Sequence, residues 1–100
     1  MKDNTEAIRV MVVDDEKDIR EGSQRILARA GYQVTTASRG DDALAALEPQ
    51  PAAIVLLDLK MPGMDGMEVL GRIHAMDPGV IVIVITGYAT VETAIEAMKK

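Results

Sequence analysis

Ile54-Val55-Leu56-Leu57-Asp58 decides how this chain reads: an unbroken aliphatic run delivers one carboxylate into the loop Leu59-Lys60-Met61-Pro62-Gly63. Consecutive apolar residues of strand length, bounded by Pro and Gly, describe a strand buried on both faces, as in a parallel sheet covered by helices. Two further runs share this character. Val10-Met11-Val12-Val13 ends on Asp14-Asp15-Glu16, and Ile81-Val82-Ile83-Val84-Ile85 ends on Thr86-Gly87. If the three lie parallel, their carboxyl ends converge, and the ligand crevice of an open parallel sheet lies outside those ends. The acids and the hydroxyl then share one pocket.

Segments at helical spacing separate the runs. The order predicted is strand about 8–13, helix about 16–30, strand about 32–37, helix about 40–48, strand about 52–57, helix about 65–76, strand about 80–85 and helix about 90–100. This strict alternation defines an α/β fold with an open parallel sheet. Tyr32-Gln33-Val34-Thr35-Thr36 alternates polar with apolar residues, which predicts an edge strand with one wet face. Gly31 suits a left-handed helix end, Asp77-Pro78-Gly79 a helix stop, and Asp65 and Thr90 the N-caps of the third and fourth helices. Residues 1–7 read as a polar tail and residues 8–100 as one domain.

The composition is consistent with a single small core. The 100 residues are 48% hydrophobic, yet the aromatics are only Tyr32 and Tyr88, so aliphatic side chains and seven methionines must fill it. A net charge of -5 provides no basic footprint for a phosphate backbone, which argues against direct nucleic-acid contact. With no cysteine, disulfides and thiolate metal sites are excluded. The polar start lacks an export signal and no run approaches membrane-spanning length, which sets a cytoplasmic location without membrane attachment as the expectation.

Asp14, Asp15 and Asp58 at neighbouring strand ends would repel one another, a cost that a bound cation offsets. An all-oxygen donor set favours a hard divalent ion, Mg²⁺ or Mn²⁺, which keeps waters and leaves room for a phosphoryl oxygen. A carboxylate beside such an ion can also act as a nucleophile toward phosphorus, and Asp58, standing alone in its loop, is the candidate.

Val12-Val13-Asp14-Asp15-Glu16, Leu57-Asp58-Leu59-Lys60-Met61-Pro62-Gly63-Met64-Asp65-Gly66 and Val84-Ile85-Thr86-Gly87 resemble the receiver domain of two-component response regulators. The resemblance runs from about Ile8 to Lys100. Thr86 to Ala94 is most similar to receivers of enhancer-binding, AAA+-type transcriptional activators. The resemblance implies the flavodoxin-like (βα)5 fold and phosphorylation of Asp58 by a sensor histidine kinase. It further implies Mg²⁺ held by Asp15, by Asp14, by Asp58 and by the Lys60 backbone carbonyl, with Thr86 as the catalytic and switching hydroxyl and Tyr88 as a switch residue. An output domain controlling transcription is the implied partner in the full-length protein.

Against that pattern, about four βα units are present. The family's fifth strand and helix would follow Lys100, together with a phosphate-pairing lysine that neither Lys99 nor Lys100 matches by position. Strand four is then expected at an apolar edge, to be covered by a continuation of the chain or by association of two copies.

Other readings fit less well. A haloacid dehalogenase-type phosphatase needs a second Asp two positions after the nucleophile, where Lys60 stands. A nucleotide or flavin binder needs a Gly-rich turn after the first strand, where Asp14-Asp15-Glu16 stands. An interaction module without phosphorylation keeps the fold and drops the chemistry. His74 has no second His or Cys nearby and receives no role, and the methionines read as packing.

Overall fold

The computed structural model describes residues 7–63 and 65–85 and Thr93. Their order is β1 (Arg9–Val13), α1 (Lys17–Arg29), β2 (Gln33–Ala37), α2 (Gly40–Leu47), β3 (Ile54–Asp58), α3 (Gly66–Met76) and β4 (Ile81–Ile85). Every pairing is parallel, in the order β2-β1-β3-β4. The alternation read from the sequence is therefore present, with boundaries moved by a residue or two. The third strand starts later than expected and takes in Asp58. Of the expected fourth helix only Thr93 is described, and it is helical; Thr90 lies outside the described residues.

Pleat parity divides the core into two layers. Met11, Val13, Val55 and Leu57 pack with Ala43 and Leu47 of α2 and with Val69 and Ile73 of α3. Val10, Val12, Leu56 and Ile85 pack on the opposite face with Ile19 and Leu27 of α1. This explains the runs without polar breaks: β1 and β3 are covered on both sides, and Val10, Val12, Val13 and Val55 to Leu57 are fully buried. At the sheet's outer position β2 keeps Gln33 and Thr35 exposed on one face, the wet face its alternation predicted, and Thr36 on the other face is exposed as well. At the other edge of the described sheet, β4 exposes Ile81 and Val84.

The helices follow their apolar spacing. In α1, Ile19, Gly22, Ser23 and Leu27 form the buried stripe, at the i, i+3, i+4 and i+8 spacing of one helix face. The Ser23 hydroxyl is fully buried without a hydrogen-bond partner among the described residues. Asp65 caps α3 as expected, its side chain accepting the Met67 N–H at 3.1 Å. Gly31 after α1 has φ 101°, the left-handed conformation that ends the helix and turns the chain into β2. Asp77 closes α3, and its side chain accepts the Gly79 N–H at 3.1 Å.

Candidate functional site

The chain passes from β1 outward to β2 and then back across β1 to β3, so the crossovers leave in opposite directions between β1 and β3. Such a reversal opens a crevice at the carboxyl ends of the strands. The register pairs Val13 with Leu57, which places the next residues, Asp14 and Asp58, side by side at that mouth. Asp15 follows on the turn into α1. One carboxylate oxygen from each of Asp14, Asp15 and Asp58 lies within 4.8 Å of the others.

The acids differ in their surroundings. Asp14 is 2% exposed, Asp58 is half-buried and Asp15 is exposed. The Asp14 N–H donates to the Ala37 carbonyl at 3.1 Å, and its Oδ1 accepts the Glu16 N–H at 2.9 Å. Asp58 Oδ1 accepts the Lys60 N–H at 2.9 Å, which ties the nucleophile candidate to the loop it enters. Capping of α1 is a poor account of the acidic turn, since Glu16 occupies the cap position without a side-chain cap hydrogen bond. The carboxylates face one another instead.

Burial pushes Asp14 up from the ordinary aspartate value of 3.8 to about 6; the charges of Asp58, Asp15 and Glu16 push the same way, and the Glu16 N–H opposes them. A folded state that holds this proton more tightly than the unfolded chain loses stability as the proton leaves. For the metal-free domain we expect stability to fall as pH rises from about 4 to about 6, by roughly 3 kcal/mol, and to stay lowered above that range. Melting curves in a chelator across this range would check it. Asp14→Asn should flatten the profile, and Mg²⁺ should restore stability most strongly above about pH 6.

This donor set fits a hard divalent cation: three acidic oxygens converge, and the most buried carboxylate is short of compensating charge. The sequence reading located these three acids and Lys60, whose carbonyl lies in the same β3–α3 loop. Thr86 and Tyr88, expected as switch residues, lie outside the described residues, as do Lys99 and Lys100. Two contributors escaped that reading. Arg20 donates from Nη1 to the Asp14 carbonyl at 2.9 Å, and Gly66 sits against Leu59, between Asp58 and Lys60. The first was signalled only by a cation one turn into the helix after the acids, the second only by the glycine that follows Asp65.

A separate cleft of about 280 Å³ lies at the opposite end of the sheet, lined by Leu47, Ala52, Ile73, Met76 and Val80 among others. It is apolar in character and remote from the acids. Among the described residues no helix is long and apolar enough to cross a membrane.

Comparison with known proteins agrees with this geometry. The family model described as the response regulator receiver domain matches residues 10–100. The C4-dicarboxylate transport transcriptional regulatory protein DctD of Rhizobium meliloti is 37% identical over 90 residues, which cover 90% of this chain and 20% of that protein. The chain thus spans about a fifth of the length of the curated relatives it matches. A CheY-like receiver domain protein from Methanospirillum hungatei superposes with a TM-score of 0.80 at 33% identity, covering 94% of this chain and 75% of the other. The crystal structure of histidine kinase ThkA in complex with response regulator protein TrrA contains a chain 38% identical to this one, with a TM-score of 0.75, covering 81% of this chain and 70% of that one. With its parallel sheet covered on both faces and three carboxylates at the strand-order reversal, the chain belongs to the response regulator receiver domains, the signalling domains of two-component systems.

Proposed function

We propose that Asp58 is the phosphoacceptor of this receiver and that Asp14 and Asp15, with Asp58 itself and the Lys60 backbone carbonyl, hold Mg²⁺ or Mn²⁺. The observation that carries this is the placement of Asp58 as the last residue of β3, beside Asp14 and within reach of Asp15. The Lys60 N–H holds Oδ1 and leaves the other carboxylate oxygen without a hydrogen bond among the described residues. That oxygen attacks phosphorus as the P–N bond to a phosphohistidine breaks, and the bonding electron pair returns to the imidazole nitrogen. A bound divalent cation supplies charge compensation for the carboxylates and the transferring group.

The donor is a sensor histidine kinase, in keeping with the TrrA complex with ThkA. Phosphorylation adds about 1.5 to 2 negative charges and three acceptor oxygens to a pocket already short of positive charge. Thr86 is the hydroxyl that answers this change and Tyr88 the side chain that moves with it, roles supported by the sequence resemblance. The consequence is an altered interaction surface read by an output domain, and the likeness to DctD supports transcription as the process controlled. The domain acts in the cytoplasm, where kinases make phosphohistidine, and its own chemistry extends to its phosphorylation and dephosphorylation.

Acetyl phosphate with Mg²⁺ provides the test. The intact mass should gain one phosphoryl group, and peptide mapping should place it on Asp58. An adduct on another residue refutes the assignment, and no adduct favours a receiver-like interaction module.

A further inference from the structure

Arg20 lies in the first turns of α1, where its N–H donates to the Glu16 carbonyl at 3.1 Å. Its half-buried guanidinium turns back along the helix, and Nη1 donates to the Asp14 carbonyl at 2.9 Å. Among the described residues Arg20 forms no ion pair with a carboxylate, although three acids cluster beside the carbonyl it holds. A cation that bonds a main-chain carbonyl rather than a neighbouring carboxylate is serving the backbone.

The carbonyl it holds belongs to the peptide joining Asp14 to Asp15. A peptide is planar, so holding that oxygen restrains the plane and the two Cα atoms from which both side chains depart. Asp14 has two other anchors, the N–H to Ala37 and the side chain to the Glu16 N–H. The exposed Asp15 side chain has no hydrogen-bond partner among the described residues, so its direction depends on the peptide that Arg20 grips.

We propose that Arg20 is a positioning residue, clamping the Asp14–Asp15 peptide so that Asp15 is aimed into the cation site. The proposal rests on the metal-site reading above. A fixed positive charge beside a cation site disfavours the ion electrostatically, so a clamp and a mere charge predict opposite signs. Removing a clamp weakens metal binding, whereas removing a charge strengthens it.

The test is Mg²⁺ affinity by calorimetry, without phosphoryl donor, on the unmodified protein and on Arg20→Met, Arg20→Lys and Asp15→Ala. Arg20→Met should weaken affinity about tenfold, the scale typical when a residue supporting a metal ligand is lost. Arg20→Lys should recover part of it, because an ammonium can still donate to one carbonyl. Labelling by acetyl phosphate should need more Mg²⁺ yet reach the same final extent. Unchanged or tighter Mg²⁺ binding in both Arg20 variants overturns the proposal, even if melting temperatures fall. Should Arg20→Met fail to fold, the comparison with Arg20→Lys decides alone. Asp15→Ala separates the two readings: if it leaves Mg²⁺ affinity intact the metal-site reading fails, and if it weakens binding while the Arg20 variants do not, the clamp alone fails.

Discussion

Asp58→Asn should take up no phosphoryl group and yet be more stable than the unmodified domain in the absence of metal. The two effects share one cause. The amide oxygen of asparagine can still accept the Lys60 N–H, so the loop held by that 2.9 Å bond should stay in place. What disappears is a charged oxygen able to attack phosphorus, and with it the adduct. The same change removes one of the charges that raise the Asp14 value, so Asp14 ionises at lower pH and the metal-free domain gains stability near neutrality. Intact mass after acetyl phosphate checks the first part, and chelator melting curves check the second. A variant that loses the adduct but also loses stability would mean that Asp58 has a structural role the carboxylate cluster does not explain.

Gly66→Ala should be the most disruptive single-methyl change at the site. An added Cβ would stand 2.5 Å from Leu59 Cα, 2.8 Å from Leu59 O and 2.9 Å from Leu59 Cδ2. Two of these are backbone atoms, so a rotamer change cannot relieve the contact. The β3–α3 loop must shift, and it carries the Lys60 N–H that holds Asp58. A loss of about 3 kcal/mol is expected from overpacking against rigid neighbours, on the order of 15 °C in melting temperature for a domain of this size. Phosphoryl uptake should slow as well. Gly71, in the same helix, meets nothing within 4 Å, so Gly71→Ala is the control and should stabilise by up to about 1 kcal/mol. Equal melting temperatures for the two variants would refute the close-approach argument.

Much of this arrangement could be read without coordinates. Apolar runs without polar breaks announced two-sided burial, and β1 and β3 are covered on both faces. Acids at the ends of those runs announced a shared pocket, because strand ends in a parallel sheet must meet. The close approach of Gly66 to Leu59 and the reach of Arg20 to the Asp14 carbonyl were not legible. Both depend on how a helix start packs against a loop, and periodicity carries no information about that. The raised Asp14 value was hidden for a related reason. Asp14 and Asp15 are neighbours in sequence, yet one is 2% exposed and the other exposed, a difference set by the sheet rather than by residue type.

The strand order also has a kinetic consequence. β1 pairs Val10 with Val34 on one side and with Ile54 on the other, so the first of these four strands to be synthesised is the one that needs two later partners. Pairing with β2 closes the shorter loop and has the lower entropic barrier; pairing with β3 must wait for the chain through Asp58. Until then the newborn chain holds Val10, Met11, Val12 and Val13 with one flank open, and the acidic crevice has no second wall. Ability to accept a signal is thus gained only when the third strand docks, not when the first strand and its acidic turn emerge.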